Sequence, residues 1–235
     1  MAKTIGSITP IWNAELFIEP HFEMLSKLDR NIVLFNKEPW PTYAKEHYDT
    51  QQDASIEMIK RLFPRVEIYE TSFTWGADLF NQGLEILKDC DMVFKLDVDM
   101  LLTNENWDRL LDFIHNTGYD YYNLDWSTHT INYYADFEHG LKDALEKDPI
   151  AVSPKGRFNG IIDYVTDRPY LIDWDDWVIH HFRGWNKPKS VVKGWQDQEN
   201  FKEAYKNYGP WLSCPEEIRG MFNPVYSDKW LSIFQ

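Results

Sequence analysis

The stretch "CDMVFKLDVDMLLTNENWDRLLDFI" (90–114) decides how the chain is read. It opens as a strand expected over 92–99, in which residues two apart share a face. Met92, Phe94, Leu96, Val98 and Met100 make one apolar face; Val93, Lys95, Asp97 and Asp99 make the other. Both carboxylates then emerge together at the strand's C-terminal end, where open α/β sheets place their ligands. Two like charges side by side are costly to bury unless a cation or a proton neutralises them. Paired acidic oxygens with open positions suit Mg²⁺ or Mn²⁺ bridging to a substrate diphosphate. A bare Asp-x-Asp is also an ordinary turn. The apolar lead-in, the strand end and the helix directly behind favour the ligand reading. Trp107, Leu110, Leu111 and Ile114 mark that helix, behind a Thr103/Asn104 cap.

Working outward, the first half alternates strands and helices. "TIGSITPI" (4–11), "NIVLFN" (31–36) and "VEIYE" (66–70) read as strands. A helix that Pro20 enters in its first turn runs to about Leu28. Ile56, Ile59, Leu62 and Phe63 mark a second helix ended by Pro64, and Phe80, Gly83, Leu84 and Leu87 a third. Such alternation predicts an α/β fold with a mostly parallel sheet flanked by helices. Past Gly118 the periodicity weakens, although "YDYYNLDW" (119–126) and "DWVIHHF" (176–182) still look like strands. No linker divides the chain, so 1–235 is expected to be one domain, in which 119–235 complete the sheet begun by 1–118 and build a pocket over it.

Composition narrows the partners. A formal net charge of −14 with no offsetting basic block argues against stable nucleic-acid binding. The same charge means that a phosphate ligand needs a metal ion between itself and the carboxylates. Two cysteines, Cys90 and Cys214, give neither a zinc spacing nor a disulfide framework. Without a signal peptide or a transmembrane run, the expected location is cytoplasmic, or peripheral at a membrane.

"NQGLEILKDCDMVFKLDVDMLLTNENWDRLLDFI" (81–114) resembles the nucleotide-sugar glycosyltransferases of the GT-A fold, the family 2-like group above all. They carry Asn-x-Gly on a helix, then an apolar strand ending in Asp-x-Asp, then a helix. "TPIWNAE" (9–15) is similar to that family's segment after the first strand. The resemblance implies a single GT-A (Rossmann-like) domain, with residues 1–118 as the half that binds a nucleoside-diphosphate sugar and 119–235 as the acceptor-binding and catalytic half. Pro10, Trp12 and Glu15 would border base and ribose, with Asn81 also in the donor site. Asp97 would approach the ribose or the metal, and Asp99 would bind the metal. One departure is "FNKEPW" (35–40), where the family has an acidic run; Asn36 or Glu38 would have to substitute.

In the second half, "VIHHFRGWNK" (178–187) resembles the late histidine segment that completes some GT-A metal sites. His180 and His181 are both candidate ligands, and one of them is expected to serve; Arg183 and Lys187 are candidates for holding phosphate. "KGWQDQENFKEAYK" (193–206) resembles the segment that supplies the catalytic base, which makes Asp197 the first choice and Glu199 the second. "DWDDW" (173–177) offers Asp175 and Asp176 as rivals. The implied activity is metal-dependent, inverting transfer of a sugar to an acceptor hydroxyl. Two other readings stand beside it. One is a sugar-nucleotide nucleotidyltransferase, disfavoured because "PIWNAELF" (10–17) has neither a glycine nor a basic residue to hold a triphosphate. The other is a non-catalytic sugar- or metal-binding module.

Overall fold

A computed structural model describes residues 2–12, 14–36, 54–72, 76–118, 121–123, 125–128, 149–159, 163–165, 169–171, 178–181 and 217. The first half runs β1 (Ile5–Ile11), α1 (Glu15–Leu25), β2 (Arg30–Phe35), α2 (Ser55–Leu62), β3 (Glu67–Glu70), α3 (Ala77–Ile86) and β4 (Met92–Lys95). Then come β5 (Met100–Leu101), α4 (Asn104–Asn116), β6 (Tyr121–Asn123) and β7 (Asp125–Thr128). Further on lie β8 (Pro149–Val152), β9 (Arg157–Asn159), β10 (Asp163–Val165), β11 (Pro169–Leu171) and β12 (Val178–His181).

The main sheet has the order β11-β6-β8-β4-β1-β2-β3. β3, β2, β1 and β4 run parallel. β8 lies antiparallel to both of its neighbours, β4 and β6, and β11 runs parallel to β6. The second half therefore does complete the sheet begun by the first. β5, β12 and β7 form a smaller sheet, and β9 and β10 an antiparallel ribbon.

Both faces of the main sheet are covered, so its central strands are apolar nearly throughout, as buried parallel strands are. Met92 and Phe94 of β4 join Ile5 and Ile11 of β1 in a core shared with α1, α2 and α4. Val93 and Ile8 face the other way, onto Leu79, Phe80 and Leu84 of α3. Phe94 and Trp107 meet at 4.8 Å between ring centres, which seats α4. That helix starts as the sequence predicts: Thr103 Oγ1 accepts from the Asn106 N–H at 3.3 Å.

Two expectations need correction. Pro20 is not in the first turn of α1 but sixth in a helix that begins at Glu15 and ends at Leu25. Tertiary contacts start the helix early. Ser55 Oγ accepts from the Ala14 N–H at 2.8 Å, and Phe17, Ile18, Phe22 and Leu25 are fully buried around the proline. That packing outweighs the backbone bond that proline cannot make. Leu62, expected on the buried face of α2, is 41% exposed, because at 3.6 residues per turn it stands about 120° round the helix from Ile56, off the side that Ile56 and Ile59 bury.

Candidate functional site

The topology points to one crevice. From β1 the chain steps outward to β2 and β3, then returns to place β4 on the opposite side of β1. Strand order reverses between β1 and β4, and open α/β sheets bind ligands at the carboxyl ends of strands at such a point. Pairing of these two strands stops at Ile8 with Lys95, while β1 continues beside β2 as far as Ile11 with Phe35. A last bond, from the Leu96 N–H to the Ile8 carbonyl, lies just beyond that register. Pro10 lies at this end of β1 and Trp12 just past it, while Asp97 and Asp99 follow directly on β4.

β4 ends at Lys95, four residues short of the strand expected over 92–99. The Leu96 N–H still reaches the Ile8 carbonyl at 3.3 Å, and then the Met100 N–H bonds the Asp97 carbonyl at 2.9 Å. That bond closes a four-residue turn, Asp97-Val98-Asp99-Met100. Leu96, Val98 and Met100 nevertheless sink into the same core as Met92 and Phe94. The apolar alternation was sound, but its last part belongs to a turn. Asp97 is half-buried and Asp99 is 8% exposed.

One residue beneath this turn escapes a sequence reading. His21 of α1 is fully buried; its Nε2 lies 3.0 Å from Thr9 Oγ1 of β1 and its Nδ1 3.3 Å from the Met100 carbonyl. A carbonyl only accepts, so Nδ1 carries the proton and the neutral ring accepts at Nε2 from the Thr9 hydroxyl. Burial pushes the His21 pKa down to about 4, against the opposing pulls of the Met100 carbonyl and the Asp99 charge. The available signal was its place in the stripe Ala14, Phe17, Ile18, Phe22, Leu25, where a polar side chain needs a partner. Lys95 is a second such residue. It is 5% exposed, with its Nζ 4.9 Å from the Phe80 ring centre and 5.9 Å from that of Phe158.

The other expected residues have varied surroundings. Trp12 is half-buried, and its indole N–H is buried with no partner among the described residues. Glu15 Oε1 accepts from the Ala54 N–H at 2.5 Å, at the start of α2. Asn81 bonds the Phe158 backbone twice, donating from Nδ2 to its carbonyl at 3.0 Å and accepting at Oδ1 from its N–H at 2.9 Å. In this chain the Asn-x-Gly pair thus serves the packing of the fold. Asn81 ties β9 to α3, and Gly83 lets α3 close on β1.

β12 brings the histidine segment to the turn. Its backbone runs antiparallel to β5, His181 opposite Met100 and His180 opposite Leu101. The side chains of His180 and His181 lie outside the described residues, as do Glu38, Asp175, Asp176, Arg183, Lys187, Asp197 and Glu199 entirely. Among the described residues no group of three His, Cys, Asp or Glu side chains could hold a metal ion. Asp97 and Asp99 do supply hard oxygen donors, the kind that Mg²⁺ and Mn²⁺ take.

No protein-family model matches this chain, and no curated protein does either. Solved structures do. TarS of S. aureus in complex with UDP-GlcNAc aligns with a TM-score of 0.50 at 11% identity, over 98% of this chain and 81% of that one. The same protein with UDP gives 0.50 at 10%, over 97% and 78%. A longer TarS chain also gives 0.50 at 11%, and this chain spans 53% of its length. The likeness is one of fold. The chain has the GT-A fold: a mostly parallel mixed sheet flanked by helices in a single domain. Among the described residues no helix is long and apolar enough to cross a membrane.

Proposed function

We propose that this chain is a metal-dependent glycosyltransferase that moves a sugar from a nucleoside-diphosphate sugar to an acceptor hydroxyl. The observation that carries this reading is the Asp97–Met100 turn, set at the carboxyl end of β4 beside the reversal of strand order in a GT-A sheet. Asp99 and Asp97 would hold Mn²⁺ or Mg²⁺. The register of β12 beside β5 supports His180 or His181 as a further ligand. When bound, the cation would act as a Lewis acid on the leaving diphosphate. Pro10 and Trp12 would border the base and ribose across the crevice, with Glu15 at the start of α1 behind them. Asn81 would act on the donor only through the placing of α3 and β9.

Asp197 is our choice for the base that takes the acceptor proton, ahead of Glu199, Asp175 and Asp176. With a base on the side of the sugar opposite the leaving group, the transfer is a single displacement with inversion. A uridine donor is the first to test, because TarS, which shares the fold, was crystallised with UDP-GlcNAc and with UDP.

The test is a calorimetric titration of UDP, GDP, dTDP and CDP into the protein, in Mn²⁺ and then in EDTA. Binding of one nucleotide that EDTA abolishes is the expected result and names the donor base. Absence of binding by all four in Mn²⁺ would leave Asp97 and Asp99 as a turn and nothing more. Transfer or donor hydrolysis, assayed with and without Mn²⁺, separates the enzyme from a binding module.

A further inference from the structure

We infer that His21 is a positioning residue for the donor site: from beneath the crevice it fixes the Asp97–Met100 turn against the end of β1, and so sets where the two carboxylates stand. This rests on the metal-site reading of Asp97 and Asp99. The ring bridges the two walls of the crevice, one nitrogen on Thr9, next to Pro10, and the other on the carbonyl of Met100, the residue that closes the turn. Three residues along the same helix, Met24 Sδ accepts from the Leu102 N–H at 3.3 Å. α1 therefore grips the chain on both sides of Leu101, just after the carboxylates. Without that grip a short turn can shift by fractions of an ångström. Partners that orient metal ligands in this way typically govern about 10–100-fold in metal affinity.

The two ring nitrogens can be replaced one at a time. An asparagine amide nitrogen stands close to where Nδ1 is, and a glutamine amide nitrogen close to where Nε2 is. His21→Asn keeps a donor for the Met100 carbonyl and gives up Thr9; His21→Gln does the reverse. Both variants, wild type and Asp99→Ala are titrated in Mn²⁺ with whichever of UDP, GDP, dTDP and CDP the wild type binds, and their melting temperatures are measured in EDTA. The expected result is that His21→Gln weakens metal-dependent nucleotide binding about tenfold or more. His21→Asn should stay within about threefold of wild type, although both variants melt at similarly lowered temperatures. If the two variants bind alike, whether tightly or weakly, the bond to Met100 does not position the site and the inference fails. If Asp99→Ala binds as wild type does, or no nucleotide binds the wild type, the metal-site reading itself falls and takes this inference with it. If only the Asp99 variant loses binding, the site stands and His21 is structural.

Discussion

Gly83 of α3 lies so close to Ile8 of β1 that a methyl group in place of its hydrogen would stand 2.5 Å from Ile8 Cδ1 and 2.7 Å from Cγ1. Ile8 is fully buried and its branched side chain has little room to yield. Gly83→Ala would gain up to about 1 kcal/mol in helix propensity. Overpacking of this kind costs about 1–3 kcal/mol. The expected outcome is net destabilisation, read as a lower urea midpoint. A midpoint equal to or above that of wild type would show that α3 can slide away from β1.

Asn81 is placed to be tested against its expected role at the donor. Asn81→Ala removes both bonds to Phe158 and leaves that backbone N–H and carbonyl without them. A loss of about 2 kcal/mol in stability is expected from one or two unmet polar groups in a half-buried site. Nucleotide affinity in Mn²⁺ should stay near that of wild type. A large loss of affinity at unchanged melting temperature would return Asn81 to the donor site.

His21 also gives stability a pH dependence. Its pKa is about 4 in the fold and 6.5 as a free side chain, so the unfolded chain takes up the proton first as pH falls. The stability that the neutral ring supports is therefore complete above about pH 6.5 and is lost progressively toward pH 4. Between pH 7 and 5 the loss from this group is about 2 kcal/mol. Other histidines and carboxylates titrate as well, so the quantity to measure is the difference between wild type and His21→Asn by urea unfolding in EDTA. That difference should shrink by about this amount over the interval. A constant difference would mean that the ring is not held neutral.

Asp99 and Asp197 should fail differently. Asp99→Ala is expected to abolish metal-dependent nucleotide binding while the protein still folds. Asp197→Asn should keep donor affinity and lose transfer by roughly 100-fold or more, the usual scale for a general base. Full transfer by the Asp197 variant would move the base to Glu199, Asp175 or Asp176, and the same assay on each of those would find it.

Much of the first half was legible because its strands are short apolar runs buried on two faces and α4 carries its own cap at Thr103. The end of β4 was not. Burial alternates through Leu96, Val98 and Met100 as it would in a strand, and only the bond from the Met100 N–H to the Asp97 carbonyl reveals the turn. His21 was hidden for another reason. Its partners lie 12 and 79 residues away in sequence, so no local pattern contains them. Glu15 and Asn81 stood out through the motifs that carry the resemblance but not as bonds, because Ala54 and Phe158 are remote in sequence as well.

β8 carries a consequence for how the molecule can be made. Its residues 149–152 stand between β4 and β6, which are closed in sequence long before β8 leaves the ribosome. Until then the apolar run Met92–Lys95 is an outer edge, with the backbone groups that Ala151 and Val152 later pair still open. Open apolar edges recruit other chains. A fragment stopped at Gly118 would keep β3, β2, β1 and β4 but would never receive its seal. Such a fragment should self-associate through β4, and a nascent chain should need shielding there until residue 152 has emerged.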